Sequence, residues 1–264
     1  MPYKNKTEQK KAQRRSYLLN KQEIIEKTKK RRAHTQESAI LSLFYKRIID
    51  NRCWQLWFNK KATNGYKPCY ISPEIAFNLM IQNCFYCGGF STTLDRLDSA
   101  KEHTLDNCVG CCDFCNQSKQ AQDPKTFILQ AVYRRRFIYY EDDDIWYDNT
   151  RKPRLRGYKE KALKQDKKFE LSETEFNAYI VNRCHYCRRF PPTSKFFGID
   201  KVFPDDGYVK SNCVTACAGC NFSKRDYTAE EFILRDERIT ERYLAGYFDT
   251  LPMIPKNISH HKNV

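Results

Sequence analysis

Apolar residues in this chain fall at helical spacing over short stretches, separated by polar and cysteine-rich segments. The capping box Ser172-x-x-Glu175 opens a run with Phe176, Tyr179 and Ile180 three and four apart, which predicts a helix through Asn182. Ser72-Pro73 starts a counterpart, since proline suits the first turn of a helix. Phe127-Ile128-Leu129 and Phe232-Ile233-Leu234 each mark a further helix. Upstream, Leu41, Phe44, Tyr45, Ile48 and Ile49 share one face of a helix expected over 38–59, while 4–32 reads as a highly charged, helix-prone arm. The stretch 139–148 is acidic and aromatic. Residues 150–156 are basic with a proline, reading as a linker or as a minor-groove arm. No apolar run reaches the length of a bilayer span, and the first twenty residues are too polar and basic for a secretory signal.

These elements recur in register. Ser72 precedes Cys84 by 12 positions, as Ser172 precedes Cys184; Asp95 to Asn107 and Asp200 to Asn212 also span 12. Asn107-Cys108-Val109 leads to Cys112, Cys115, Asn116 and Lys119, and Asn212-Cys213-Val214 leads to Cys217, Cys220, Asn221 and Lys224. Only the loop from the first CxxC to the aspartate differs, at 8 positions against 13. One supersecondary unit is expected twice. In each, two short strands lie around the Asp and Asn positions, and the second CxxC opens a helix. The expected class is α+β, two zinc modules with flanking helices and a basic helical N-terminal arm. The boundaries are 1–37 for the arm, 38–135 for the first module with its preceding helix, 136–157 for a linker, 158–248 for the second module and 249–264 for a tail.

Thirteen cysteines without an export signal favour metal over disulfides, and hence an intracellular, reducing compartment. The paired spacing assigns Cys84, Cys87, Cys112 and Cys115 to one zinc ion and Cys184, Cys187, Cys217 and Cys220 to a second. Cys53, Cys69, Cys108, Cys111 and Cys213 fall outside the sets, with Cys111 the neighbour able to trade places with Cys112. A formal charge of +15 adds a preference for polyanionic partners.

The order CxxC, Asp-x, about a dozen residues, Asn-x-Val, CxxC-Asn-x-x-Lys resembles the HNH (His-Me finger) endonucleases, especially the zinc-bearing forms of phages and large DNA viruses. Gly207-Tyr208 matches a Gly-Tyr typical of that group, replaced by Glu102-His103 in the first copy; Asp95-Arg96-Leu97-Asp98 matches its Asp-Arg-x-Asp run. The resemblance covers about 170 residues. It implies a ββα-metal core in a treble-clef-like module, with duplex DNA as partner and no membrane. It also implies that Asp95 with Asn116, and Asp200 with Asn221, hold Mg²⁺ or Mn²⁺, while Asn107 and Asn212 brace the hairpin. The family's general-base histidine is replaced by Arg96 and Lys201. Arginine stays protonated and lysine needs a large pKa depression to act as a base, so both are expected to bind phosphate, as are Lys119 and Lys224. His103 lies near enough in sequence to substitute as the base in the first copy, although a lone histidine in a hairpin loop is ordinarily a surface residue. Three readings follow: a DNA-binding protein with a degenerate site, a divalent-metal-dependent endonuclease, or a non-catalytic component of a nucleoprotein particle or virion.

Overall fold

The computed structural model describes residues 69–91, 93–137, 145–147 and 151–260. Packing divides the chain into 1–55 and 56–264, and every described residue belongs to the second unit. The expected arm and the helix over 38–59 lie outside the described residues. What is described is a mixed α/β structure with two small antiparallel sheets.

Helix α1, Pro73–Met80, starts where Ser72 accepts a bond from Ile75 N–H. After the Cys84–Cys87 turn come β1, Thr93–Arg96, and β2, Cys108–Cys111, paired antiparallel with Asp95 opposite Val109 and Arg96 opposite Cys108. Helix α2, Asp113–Lys119, takes Cys112 as its N-cap, and α3, Pro124–Arg136, takes Asp123. Helix α4, Leu155–Lys164, begins inside the stretch expected as linker. From there the first order of elements recurs: α5, Glu173–Ile180, with the expected capping box; β3, Gly198–Lys201; β4, Cys213–Ala216; α6, Ala218–Lys224, capped by Cys217; and α7, Ala229–Leu244, with a second capping box at Thr228 and Glu231. The β3–β4 register sets Asp200 opposite Val214 and Lys201 opposite Cys213.

Asn107 and Asn212 close the two hairpins from within. Asn107 accepts from Asp98 N–H at 2.8 Å and donates to the Asp98 and Glu102 carbonyls at 3.0 and 2.8 Å. Asn212 repeats this with Phe203 and Gly207. The α1–β2 contact is tighter than its counterpart: a Cβ on Gly110 would lie 2.1 Å from the Leu79 carbonyl oxygen. At the equivalent place Thr215 donates its hydroxyl to the Tyr179 carbonyl at 2.7 Å.

The modules are not beads. Around the first cysteine cluster, Phe127, Ile128 and Val132 of α3 are joined by Ile239 of α7 and by Phe248. Around the second, Phe232 of α7 is joined by Leu129 and Tyr133 of α3 and by Ile145 and Trp146. Each module's long helix therefore helps wall the other's cysteine cluster. Buried polar groups lock the crossing: Arg134 pairs with Asp236 through Nε–Oδ2 at 2.5 Å and Nη2–Oδ1 at 3.2 Å, and Arg235 reaches Asp236, Ser118 and Ser223. Burial works against the Asp236 anion, but Arg134 and Arg235 together hold its carboxyl below the usual aspartate range. The C-terminal segment returns to the first module, where the Asn257 carbonyl accepts from Asp123 N–H, Asn257 N–H donates to Asp123 Oδ2, and the Ile258 carbonyl accepts from the Gln122 amide.

Candidate metal centres and hairpin–helix site

Two four-cysteine groups form, Cys84, Cys87, Cys112, Cys115 and Cys184, Cys187, Cys217, Cys220, with the sulfurs of each group within 4.8 Å of one another. The chemistry and spacing fit zinc. A tetrahedral ion with Zn–S near 2.3 Å demands sulfurs about 3.8 Å apart, and Cys87–Cys112 and Cys187–Cys217 stand at 3.7 and 3.8 Å. One cysteine of each set also caps a helix: Cys112 Sγ accepts from Cys115 N–H at 3.3 Å, and Cys217 Sγ from Cys220 N–H at 3.4 Å. Such N–H donors favour thiolate. Cys108 and Cys213, outside the sets, are pushed by burial up to about 12 and stay protonated. Cys111 lies 4.0 Å from Cys84 but is not one of the four; burial first, and its hydrogen bond with Cys84 next, raises its thiol, and Ala216 takes its place in the second module.

Beside each cluster the hairpin aspartate is buried in a three-residue arrangement. Tyr86 donates its hydroxyl to Asp95 Oδ2 at 2.7 Å, and Lys119 Nζ lies 3.2 Å from Oδ1. In the second module Tyr186 and Lys224 do the same to Asp200, at 2.6 and 3.2 Å. Burial raises both aspartates, and the lysine opposes it. The Lys119 and Lys224 side chains are 0% and 1% exposed, so these expected phosphate ligands are structural partners of the aspartates in this state. The tyrosines went unnoticed in the sequence, although Cys84-Phe-Tyr-Cys87 and Cys184-His-Tyr-Cys187 place one at the third position of each turn.

The other expected residues distribute as follows. Asn116 donates its amide to Thr93 Oγ1 at 3.0 Å and the Leu94 carbonyl at 3.1 Å, which ties α2 to β1 beside Asp95. Arg96 is half-buried and donates to the Lys101 carbonyl at 2.8 Å; Lys201 donates to the Pro204 carbonyl at 2.7 Å. His103 bridges to Cys69, where Tyr208 bridges to Phe169 in the second module. In that module Asp200, Lys201, Asn221 and Lys224 converge on one cavity of about 370 Å³, which Arg154, Lys161 and Arg225 also line. Burial, then repulsion from Lys167 and Lys161, lowers the Lys201 pKa. Tyr158 of α4 closes one side, its hydroxyl accepting from Ile199 N–H at 3.0 Å. No sequence pattern had marked α4 as part of this site. Among the described residues the cysteine sets are the only groupings of three or more Cys, His, Asp or Glu with metal-ligand spacing.

No family model matches the chain. It is 28% identical, in an alignment of 235 positions that covers 83% of this chain, to the uncharacterized protein R423 of Acanthamoeba polyphaga mimivirus, and spans 42% of that relative. Among solved structures it is similar to the rare-cutting HNH restriction endonuclease PacI, at 18% identity and a TM-score of 0.28, over 41% of this chain and 91% of that one. No helix among the described residues is long and apolar enough to cross a membrane.

Proposed function

We propose that the chain is a zinc-stabilised nucleic-acid-binding protein of the HNH type, built from two treble-clef-like modules that grip phosphate without brisk cleavage. The observation that carries this is the second-module cavity, where Lys201, Lys161, Arg154 and Arg225 surround the hairpin–helix junction. Burial and the neighbouring Lys167 and Lys161 charges disfavour the Lys201 ammonium, and an anion such as a phosphodiester would relieve that crowding. Zinc, held by the eight cysteines, would supply folding free energy to modules with little core of their own. Lys201 and Arg96 stand at the hairpin edge as phosphate ligands. Asp95 and Asp200 act as buried posts: each carboxylate already accepts from a tyrosine and a lysine, so a divalent cation would first have to displace the lysine.

The test pairs binding with turnover. Zinc-loaded protein should bind labelled DNA with an affinity that falls steeply as salt rises. Lys201→Ala should weaken that binding, and supercoiled plasmid with Mg²⁺ or Mn²⁺ should be retarded but not nicked. Cation-dependent nicking that disappears in Asp200→Ala would replace this reading with the endonuclease. Absence of any affinity for DNA or RNA would replace it with a particle scaffold.

A further inference from the structure

The hairpin–helix cavity does not end at the hairpin. A second cavity of about 600 Å³ adjoins it, and the two share Tyr158, Lys161, Gln165, Asn221, Arg225 and Asp226. The second adds Arg151 and Lys152 from the segment before α4, and Phe196 and Phe222 from either side of β3 and β4. Lining the two together are seven cationic side chains and two carboxylates, of which Asp200 is already paired with Lys224. Arg151, Lys152 and Arg154 are exposed, and Lys152 Nζ sits 5.0 Å from the Phe196 ring. Phe222 stacks on His260 at 5.3 Å, which fixes its ring as part of the wall. Arg225 is held in place by Gln120, 2.8 Å away.

A concave, strongly basic channel with aromatic rings set into it matches what tracks a nucleic-acid backbone. The cations meet successive phosphates, and a ring face accepts a base whatever its identity. A flat anionic membrane surface would not enter it, and an acidic peptide has no use for the rings. We infer that the groove between the 151–154 segment, α4 and the β3–β4 hairpin is a track for one phosphodiester strand flanking the second-module cavity. This rests on the phosphate-binding reading given above and extends it: residues 151–154 become a wall of the binding surface. The track is asymmetric within the chain, since it is assembled from the segment joining the modules, and it assigns the second module the longer contact with the strand.

The test uses the full, zinc-loaded chain and fluorescence anisotropy across a potassium chloride series, with a labelled single strand in one arm and a duplex in the other. The groove variant is Arg151→Gln/Lys152→Gln/Arg154→Gln. The charge-matched control is Lys125→Gln/Arg136→Gln/Lys256→Gln. All three altered groove residues are exposed, so zinc content and thermal midpoint should match wild type, which separates binding from folding. Each phosphate contact contributes roughly 0.7 to the salt slope for a single strand and roughly 0.9 for a duplex, so the groove variant should lower the slope by about two in at least one arm. The arm that responds identifies the source of the strand, and the control should leave both slopes unchanged. Equal slopes for groove variant and wild type in both arms would overturn the track, as would equal displacement of the nucleic acid by polyglutamate. If Lys201→Ala weakens binding while the groove variant does not, the phosphate site stands and the track falls. If wild type binds neither oligonucleotide, both fall.

Discussion

Lys119 and Lys224 are almost completely buried, and each is received by an aspartate, joined for Lys119 by the Arg96 carbonyl. Desolvation makes such a pair a poor net stabiliser but a costly one to break by halves. Lys224→Met should therefore cost about 3–5 kcal/mol in chemical denaturation by stranding Asp200, and Asp200→Asn/Lys224→Met should recover much of it. A loss below about 1 kcal/mol for the single variant would show that water reaches Asp200 when the lysine leaves. Tyr186→Phe removes one hydrogen bond to the same buried anion and should cost about 1.5–3 kcal/mol. Histidine restored at the base position tests the same site from the other side: Arg96→His is expected to leave plasmid un-nicked while Lys119 still holds Asp95. Cation-dependent nicking by that variant would show that the lysine yields its place to metal.

At the scale of elements, the two hairpins solve one packing problem in two ways. Gly110 lets the Leu79 carbonyl approach to a distance no Cβ allows, while Thr215 keeps its Cβ and satisfies the Tyr179 carbonyl with a hydroxyl. Gly110→Ala should destabilise by about 1–3 kcal/mol through overpacking, read from the denaturation midpoint, and an unchanged midpoint would mean α1 shifts freely. These elements were largely legible beforehand. Capping residues, cysteine pairs and the 12-residue spacing from Asp to Asn are local signals, and they mark helices, turns and hairpins wherever the backbone must meet them. Burial was not legible. Spacing showed that Lys119 and Lys224 recur, but only the fold turns their stems inward to Asp95 and Asp200. Likewise the composition of 136–157 points to a linker, and nothing in its overall balance marks that Ile145 and Trp146 are buried against the second cysteine cluster or that the following α4 walls the cavity. The signal lay in the apolar members of an otherwise acidic stretch.

For the whole molecule the decisive feature is the exchange of walls between α3 and α7. Because Ile239 of α7 packs on the first cluster and Leu129 and Tyr133 of α3 on the second, the modules should melt together. Elemental analysis should find two zinc ions per chain, and a strong chelator should unfold both modules in one transition. Ile239→Ala lies in the second module's helix, yet it should hasten zinc release from the first cluster and cost about 2–5 kcal/mol overall. Release confined to the second cluster, or two separated melting transitions, would mean that the shared walls contribute little.

That exchange also sets an order of events during synthesis. The ribosome delivers Cys84 through Cys115 and α3 well before residues 239–248, so the nascent first cluster emerges with one wall missing and Phe127, Ile128 and Val132 open to water. A polypeptide stalled or cut between the modules would hold a complete set of four thiols and still lack the surface that encloses them. Chaperone demand should peak in that interval and end when α7 arrives.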